Sequence, residues 1–410
     1  MNVLIVIHYP VFGGPHNQAV QLARILAPKG VSVTVVVPDG GNAARRLRAS
    51  GVDVVTMPLH RARATLRPRA LLSLLRHLPE EIAALRAVIR NRAIDVVQVE
   101  GLVNPHAAIA AALERRAIIW QLLDTRPPML VRRLMMPLVV RLSDVVMSTG
   151  KAVARVHPGA EGLGDRLVPF FPPVDPDEFR VENADAGAAR ASFGFALEDL
   201  VLVSVGNLNP QKGHEYLLQA VGLLRRDGNR AKALVVGASH ETHVAYERQL
   251  YVLCRRLGLR VGSDVVFAGA LDDVRQALAA GDIFVLSSVP RSEGIPTAAE
   301  EAMMMSRPVI ATDVGGVSEL VQDGVTGFVV RPLDPQALAD AVHRTGDSGS
   351  RAAIGVRARA RAVNLCSTRQ CAQVHLEAYE RALEHSVSRR NRTHPRPRPS
   401  VEDGMRGDSG

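Results

Sequence analysis

Thirteen short runs rich in Val, Ile and Leu, each closed by turn residues, limit what this chain can fold into. In the first half they are NVLIVI (2–7), VSVTVVV (31–37), DVVTMP (53–58), DVVQVE (95–100), AIIWQL (117–122), DVVMST (144–149) and RLVPFF (166–171). The series restarts with LVLVSV (200–205), KALVVG (232–237), VVFAG (265–269), IFVLSS (283–288), PVIATD (308–313) and GFVV (327–330). These runs are apolar throughout, not alternating, as expected for strands buried on both faces of a parallel sheet, and helical patterns separate them. Between the two series lies PPVDPDEFRVENADAGAARASFGF (172–195), rich in Pro, Asp and Ala. The chain of 410 residues exceeds the size at which a single core stops growing. The expected architecture is α/β: two facing, Rossmann-like, doubly wound parallel-sheet domains, 1–172 and 199–366, joined by a linker at 173–198. In such sheets ligands sit beyond the carboxyl ends of the strands, so two facing sheets place a ligand in the cleft between them.

Composition excludes several classes. No apolar stretch reaches the length of a membrane span, and MNVLIVIHYP has neither a basic leader nor a cleavage site, so it reads as a buried first strand of a cytoplasmic protein. Cys254, Cys366 and Cys371 match no metal-ligand spacing and no disulfide framework. The net charge of +9 lies partly in a Pro- and Arg-rich tail, 386–410, expected to be disordered. The rest concentrates in RARATLRPRALLSLLRHL (61–78) and RPPMLVRRLMMPLVVRL (126–142), which read as solvated helix faces or as a rim for an anionic membrane surface. Aromatic residues make up 4% and do not interleave with the arginines, which argues against nucleic acid.

Both halves open with a strand, a glycine-containing loop and an amphipathic helix, yet neither loop is G-x-G-x-x-G and no P-loop occurs, which disfavours dinucleotide cofactors and P-loop ATPases. Gly13 and Gly14 let a backbone approach a ligand closely. In GNLNPQKG (206–213), Lys212 stands just before a helix, where a compact cation and free N–H groups suit a phosphate. In SEGIPTAAEEAM (292–303), Pro296 is expected at the first helical position, with the amides of Thr297 and Ala298 left open for an anion. Glu301 lies one turn deeper on the Thr297 face and is suited to accept from a pair of hydroxyls; Glu300 is an equal candidate, and Glu293 approaches from the other side. Asp175–Pro176–Asp177 imitates a metal-binding Asp-x-Asp but sits in the Pro-rich segment and reads as a turn, so no metal site is expected.

The stretch EGIPTAAEEAM, followed by RPVIATDVGGVSELVQDGVTGFVV (307–330), resembles the donor-site region of the retaining glycosyltransferases of family 4, with Glu293 and Glu301 at that family's two spaced glutamates and Glu300 at a variable position. GNLNPQKGHEYLLQAV and the N-terminal glycine loop are similar to other family segments, with Lys212 at the phosphate-binding lysine. The resemblance implies a GT-B fold and transfer of a sugar from a nucleoside diphosphate sugar to a saccharide or lipid-linked acceptor hydroxyl, with no further cofactor. It implies a donor site of Gly13, Gly14, Asn207, Lys212, Glu293, Gly294, Ile295, Pro296, Thr297 and Glu301, with Glu293, Lys212 and Asp124 nearest the chemistry. A C-terminal helix, 367–385, is implied to cross back to the first domain. Two departures stand out. Asn207 replaces the family's usual arginine, and Leu123 stands where many members carry a first-domain histidine, leaving Asp124 and Arg126 as substitutes. Arg126 and His16 are then expected on the acceptor side. Competing readings are a sugar-nucleotide epimerase of the same fold and a basic nucleic-acid- or membrane-binding protein with a vestigial site.

Overall fold

A computed structural model of the chain describes residues 1–60, 68–239 and 243–393. The seven runs of the first half form β1 (Asn2–Val6), β2 (Ser32–Pro38), β3 (Asp53–Met57), β4 (Val96–Glu100), β5 (Ala117–Leu122), β6 (Val145–Thr149) and β7 (Leu167–Phe170). The second series forms β8 (Leu200–Val205), β9 (Ala231–Val236), β10 (Val265–Gly269), β11 (Ile283–Leu286), β12 (Val309–Thr312) and β13 (Gly327–Val330). Every pairing is parallel, in the orders β3-β2-β1-β4-β5-β6-β7 and β10-β9-β8-β11-β12-β13. Both orders reverse beside the first strand of the sheet, β1/β4 in one and β8/β11 in the other, the kind of switch point beside which open α/β sheets bind ligands.

The runs had to be apolar throughout because both faces of each strand are covered. In β1, Leu4 and Val6 enter a core with Val36, Val97 and Trp120, while Val3 and Ile5 enter another with Val35, Ile119 and Tyr379. In β8, Val201 and Val203 face one core and Leu202 another. Each such side chain contributes roughly 1.5–3 kcal/mol on burial.

Two segments depart from expectation. The stretch read as a linker packs into the second domain, where Val174, Ala189 and Phe195 join the core of β8, β11 and β12. Within it, Asp175 accepts from the amides of Asp177 (2.9 Å) and Glu178 (3.4 Å), as a turn aspartate does. The C-terminal helix, Thr368–Thr393, lies against the first sheet and extends beyond Ser386, where a tail was expected to begin. Ser386 is buried, and Arg389 donates to Leu142 O (2.9 Å) and pairs with Asp144 (3.2 Å), anchoring the last turns. The remainder of the expected tail, 394–410, and the start of the first basic segment, 61–67, lie outside the described residues.

Under the first sheet this helix completes a buried polar network. The Tyr379 hydroxyl donates to Gln98 Oε1 (2.7 Å), and Gln98 Nε2 donates to Glu100 Oε1 (2.6 Å). With the Gln121 amide oriented to satisfy its neighbours, its nitrogen faces Glu100 (3.2 Å) and its oxygen takes His375 Nε2 (3.0 Å). Burial pushes the Glu100 carboxyl up to about 7, against which the Gln98 hydrogen bond works. The native state therefore holds a proton that the unfolded chain releases near its ordinary 4.5. Stability contributed by this group is full below 4.5 and is lost as pH rises to about 7, at up to about 1.4 kcal/mol per pH unit. Glu100→Gln should accordingly gain on the wild type between pH 5 and pH 8, by on the order of 3 kcal/mol, in urea melts at the two pH values. A constant offset across that range would overturn this assignment.

Candidate functional site

The site is built from the loops after β8 and β11, which are neighbours in the second sheet. After β8, the Asn209 side chain accepts from the amides of Gln211 (3.0 Å) and Lys212 (3.2 Å), closing a single 3-10 turn, Pro210–Lys212. Gly213 follows at φ 60°, and a Cβ there would lie 2.2 Å from Ser287 O, so only glycine lets the two loops touch. The Lys212 stem lies over Gly206, where a Cβ would meet it at 3.3 Å. Lys212 Nζ thereby reaches Glu293 Oε1 (2.7 Å), which also accepts from Ser288 Oγ (2.6 Å). Glu293 is 7% exposed, and the lysine and the hydroxyl offset its desolvation.

The same loop meets the first domain. Thr125 Oγ1 donates to Glu293 O (3.1 Å). A Cβ on Gly294 would lie 2.1 Å from Leu123 O and 2.6 Å from Thr149 Oγ1, so the two domains are in backbone contact beside Glu293. Gly315, at φ 57°, supports this loop from below, where a Cβ would lie 2.6 Å from both Glu293 O and Gly294 O, and Gly316 N donates to Gly294 O (2.8 Å). A second bridge is Glu319, whose carboxylate accepts from the amides of Lys151 (2.7 Å) and Ala152 (2.5 Å) at the start of the first-domain helix Gly150–Arg155.

Pro296 is the cap of the next helix, Thr297–Met304, and not its first residue: its backbone is extended and its carbonyl accepts from Ala299 N (2.9 Å). The expected anion site keeps its donors, since the amides of Thr297 and Ala298 precede the first intrahelical bond. The two adjacent glutamates separate. Glu300, an equal candidate by spacing alone, is fully buried with neither oxygen bonded, so burial holds its carboxyl well above its ordinary range; it is a core residue near Cys366 and Cys371. Glu301 is partly exposed, and burial followed by the charge of Asp273 pushes its carboxyl up to about 8.

In the first domain a Cβ on Gly13 or Gly14 would meet nothing within 4 Å, so the space beside them is open. The Gly13 amide is already donated to His16 Nδ1 (3.1 Å), which leaves the Gly14 amide at the start of the Gly14–Leu26 helix. His16 is 1% exposed and its Nε2 bonds Tyr9 O (3.0 Å), so the ring holds the glycine loop and is not presented to an acceptor. Asp124 accepts from Arg126 N (3.0 Å) and Nε (2.7 Å) and also from its Nη2. Among the described residues no cluster of three or more His, Cys, Asp or Glu is placed to hold a metal ion.

Comparison with known proteins fits this geometry. The model of the glycosyl transferases group 1 family matches residues 199–347, and that of the glycosyl transferase 4-like domain matches 13–181; together they cover well over half of the chain. The chain belongs to the group 1, family-4-like glycosyltransferases with the GT-B fold. A D-inositol 3-phosphate glycosyltransferase of Streptomyces griseus is 38% identical over 48% of this chain and 42% of its own length. The alpha-D-kanosaminyltransferase of Streptomyces kanamyceticus is 30% identical over 42% of this chain and 43% of its own. The matched region thus spans less than half the length of these curated relatives. The same fold occurs in Anabaena HepE, solved in complex with UDP, at a TM-score of 0.79 and 23% identity over 93% of this chain and all of that one.

Against the pattern expected of this family, Asn207 is exposed and its side chain takes no partner among the described residues, and Leu123 contributes its carbonyl to the domain contact in place of a histidine ring. Sequence reasoning missed Thr125, Ser288 and Glu319, which carry no motif of their own. Gly315–Gly316 was the one legible sign of the close approach beneath Glu293.

Proposed function

We propose that this chain transfers a sugar from a nucleoside diphosphate sugar to an acceptor hydroxyl with retention at the anomeric carbon, in the synthesis of a polysaccharide or glycoconjugate. The observation that carries the proposal is the Lys212–Glu293 pair at the β8/β11 switch point, pressed against the first domain through Thr125 and Gly294. The bond from the anomeric carbon to the β-phosphate oxygen breaks, the acceptor oxygen bonds to that carbon, and the acceptor's proton passes to the departing phosphate oxygen. The departing diphosphate gains charge, which Lys212 and the amides of Thr297 and Gly14 meet, so no metal is required for that role. Glu293, released from Lys212 as phosphate takes over the lysine, binds sugar hydroxyls, and Glu301 binds the ribose. Gly294 and Ile295 shape the turn that brings Pro296 and the helix end to the phosphates. UDP bound to HepE supports a nucleotide donor, and the D-inositol 3-phosphate glycosyltransferase among the relatives supports a hydroxyl-bearing acceptor.

A lipid-linked acceptor at an anionic membrane is favoured by the first-domain helix Met129–Leu142. Met129, Leu130 and Leu134 are 47%, 52% and 61% exposed on it, and it carries Arg133 and Arg141. The contact proposed is peripheral, made by this exposed apolar and basic helix face; among the described residues no helix is long and apolar enough to cross a membrane. The test is nucleotide release from UDP-, GDP- and ADP-sugars, with and without anionic vesicles and with EDTA present. One donor should be consumed in an acceptor-dependent way that survives EDTA. Epimerised donor with no transfer would establish the epimerase reading instead.

A further inference from the structure

We propose that Arg126 binds the donor's diphosphate from the first domain and supplies the second cation of a two-domain phosphate clamp, with Asp124 as its positioning residue. This rests on the donor site proposed above and reassigns Arg126, which the sequence placed with the acceptor.

The second domain meets the diphosphate with a limited charge. Lys212 is its cation at the end of β8 and is already paired with Glu293 at 2.7 Å, while the exposed neighbour Asn207 is neutral. Across the contact formed by Thr125 and Glu293 O, the next residue in the chain is Arg126. Its Nε and Nη2 are both turned onto the Asp124 carboxylate, whereas Nη1 makes no hydrogen bond among the described residues, and the side chain is 51% exposed. Burial works against its charge, whereas the Asp124 carboxylate first, and Glu293 of the second domain after it, favour that charge, and Tyr9 of the loop after β1 lies close by. A guanidinium fixed along one edge by a carboxylate, with its other edge free and within electrostatic reach of both Glu293 and the β1 loop, is prepared for an oxygen anion lying between the domains. Asp124 on this account is no acid or base: it is spent on orienting the arginine.

The measurement is the affinity for UDP, GDP and ADP, and for the monophosphate of whichever nucleotide binds, alongside acceptor KM. Arg126→Ala should weaken the diphosphate 10- to 100-fold, as loss of one charge-assisted contact does, with the monophosphate and acceptor KM changed less than threefold. Asp124→Asn should give a smaller loss of the same selectivity. Asn207→Arg, which sets a guanidinium beside Lys212, should restore diphosphate affinity to Arg126→Ala. Unchanged diphosphate affinity, equal losses for mono- and diphosphate, or a loss confined to acceptor KM would each overturn the assignment. Lys212→Ala in the same series separates the two levels: if it too leaves the diphosphate unaffected, the donor site itself is misplaced, and if it alone weakens binding, only the role of Arg126 fails. Arg126 is half exposed, so a thermal melt matching the wild type shows that its alanine variant folds.

Discussion

Lys212→Ala should lower the rate of donor-dependent nucleotide release by about 10²- to 10³-fold, the effect of removing one preorganised charge from a developing anion. The lysine is placed by geometry that the substitution leaves intact: the Asn209-capped turn, Gly213 against Ser287, and Gly206 beneath its stem. The loss should fall mainly on kcat, because the leaving diphosphate carries more charge in the transition state than in the bound donor. A complication is that Lys212 also neutralises Glu293, whose side chain is 8% exposed. Without the lysine that carboxylate keeps only Ser288 as partner, and the variant should lose stability as well. Glu293→Gln in the Lys212→Ala background should recover the stability and none of the activity, which distinguishes a catalytic charge from a structural ion pair. Activity within threefold of the wild type in the single variant would end the donor-site reading.

Legibility of the fold from the sequence followed from how local each determinant is. The strands are recognisable because their two covered faces demand unbroken apolar runs, a property visible within six residues of chain. The segment at 173–198 was read as a linker because its apolar residues are sparse; that Val174 and Phe195 insert into the second core depends on partners far along the chain, such as Phe284 and Val309. The end of the last helix was misplaced for the same reason. An Arg-rich stretch looks disordered by composition, but Ser386 is buried and Arg389 is held by a surface more than 200 residues earlier, at Leu142 and Asp144. At the site, Lys212 and the Glu293–Glu301 stretch were legible because helix starts and their flanking charges have a local signature. That they share one site came only from the family resemblance, since nothing local in either stretch shows the β8/β11 order of the sheet that brings Lys212 to Glu293. His16 was misassigned because a histidine in a glycine loop looks available, and only the structure shows both ring nitrogens spent on Gly13 and Tyr9. The paired glutamates 300 and 301 looked equivalent, and a single helical step places one in the core and the other toward Asp273.

Gly294→Ala should abolish transfer almost as fully as loss of Lys212, through position and not charge. The added methyl would lie 2.1 Å from Leu123 O, a backbone atom that no rotamer change can move, and 2.6 Å from Thr149 Oγ1. Relief requires the two domains to separate by about an ångström at the point where Glu293 and Thr125 meet, and a misplacement of that size costs on the order of 10²-fold in rate. Ile295 and Leu123 beside this contact pack on the cores of the two domains, so the variant should also lose some stability, and its kinetics are to be read at a temperature where a melt shows it folded. The nucleoside diphosphate should still bind to within about tenfold, since Lys212 and the Thr297 amides stay in place, while kcat collapses. Thr149→Ala removes the second clash and leaves the first, so the double variant should remain inactive. Full activity in Gly294→Ala would mean that the domains work without this contact, and that chemistry takes place in a more open arrangement than the one in which Thr125 reaches Glu293.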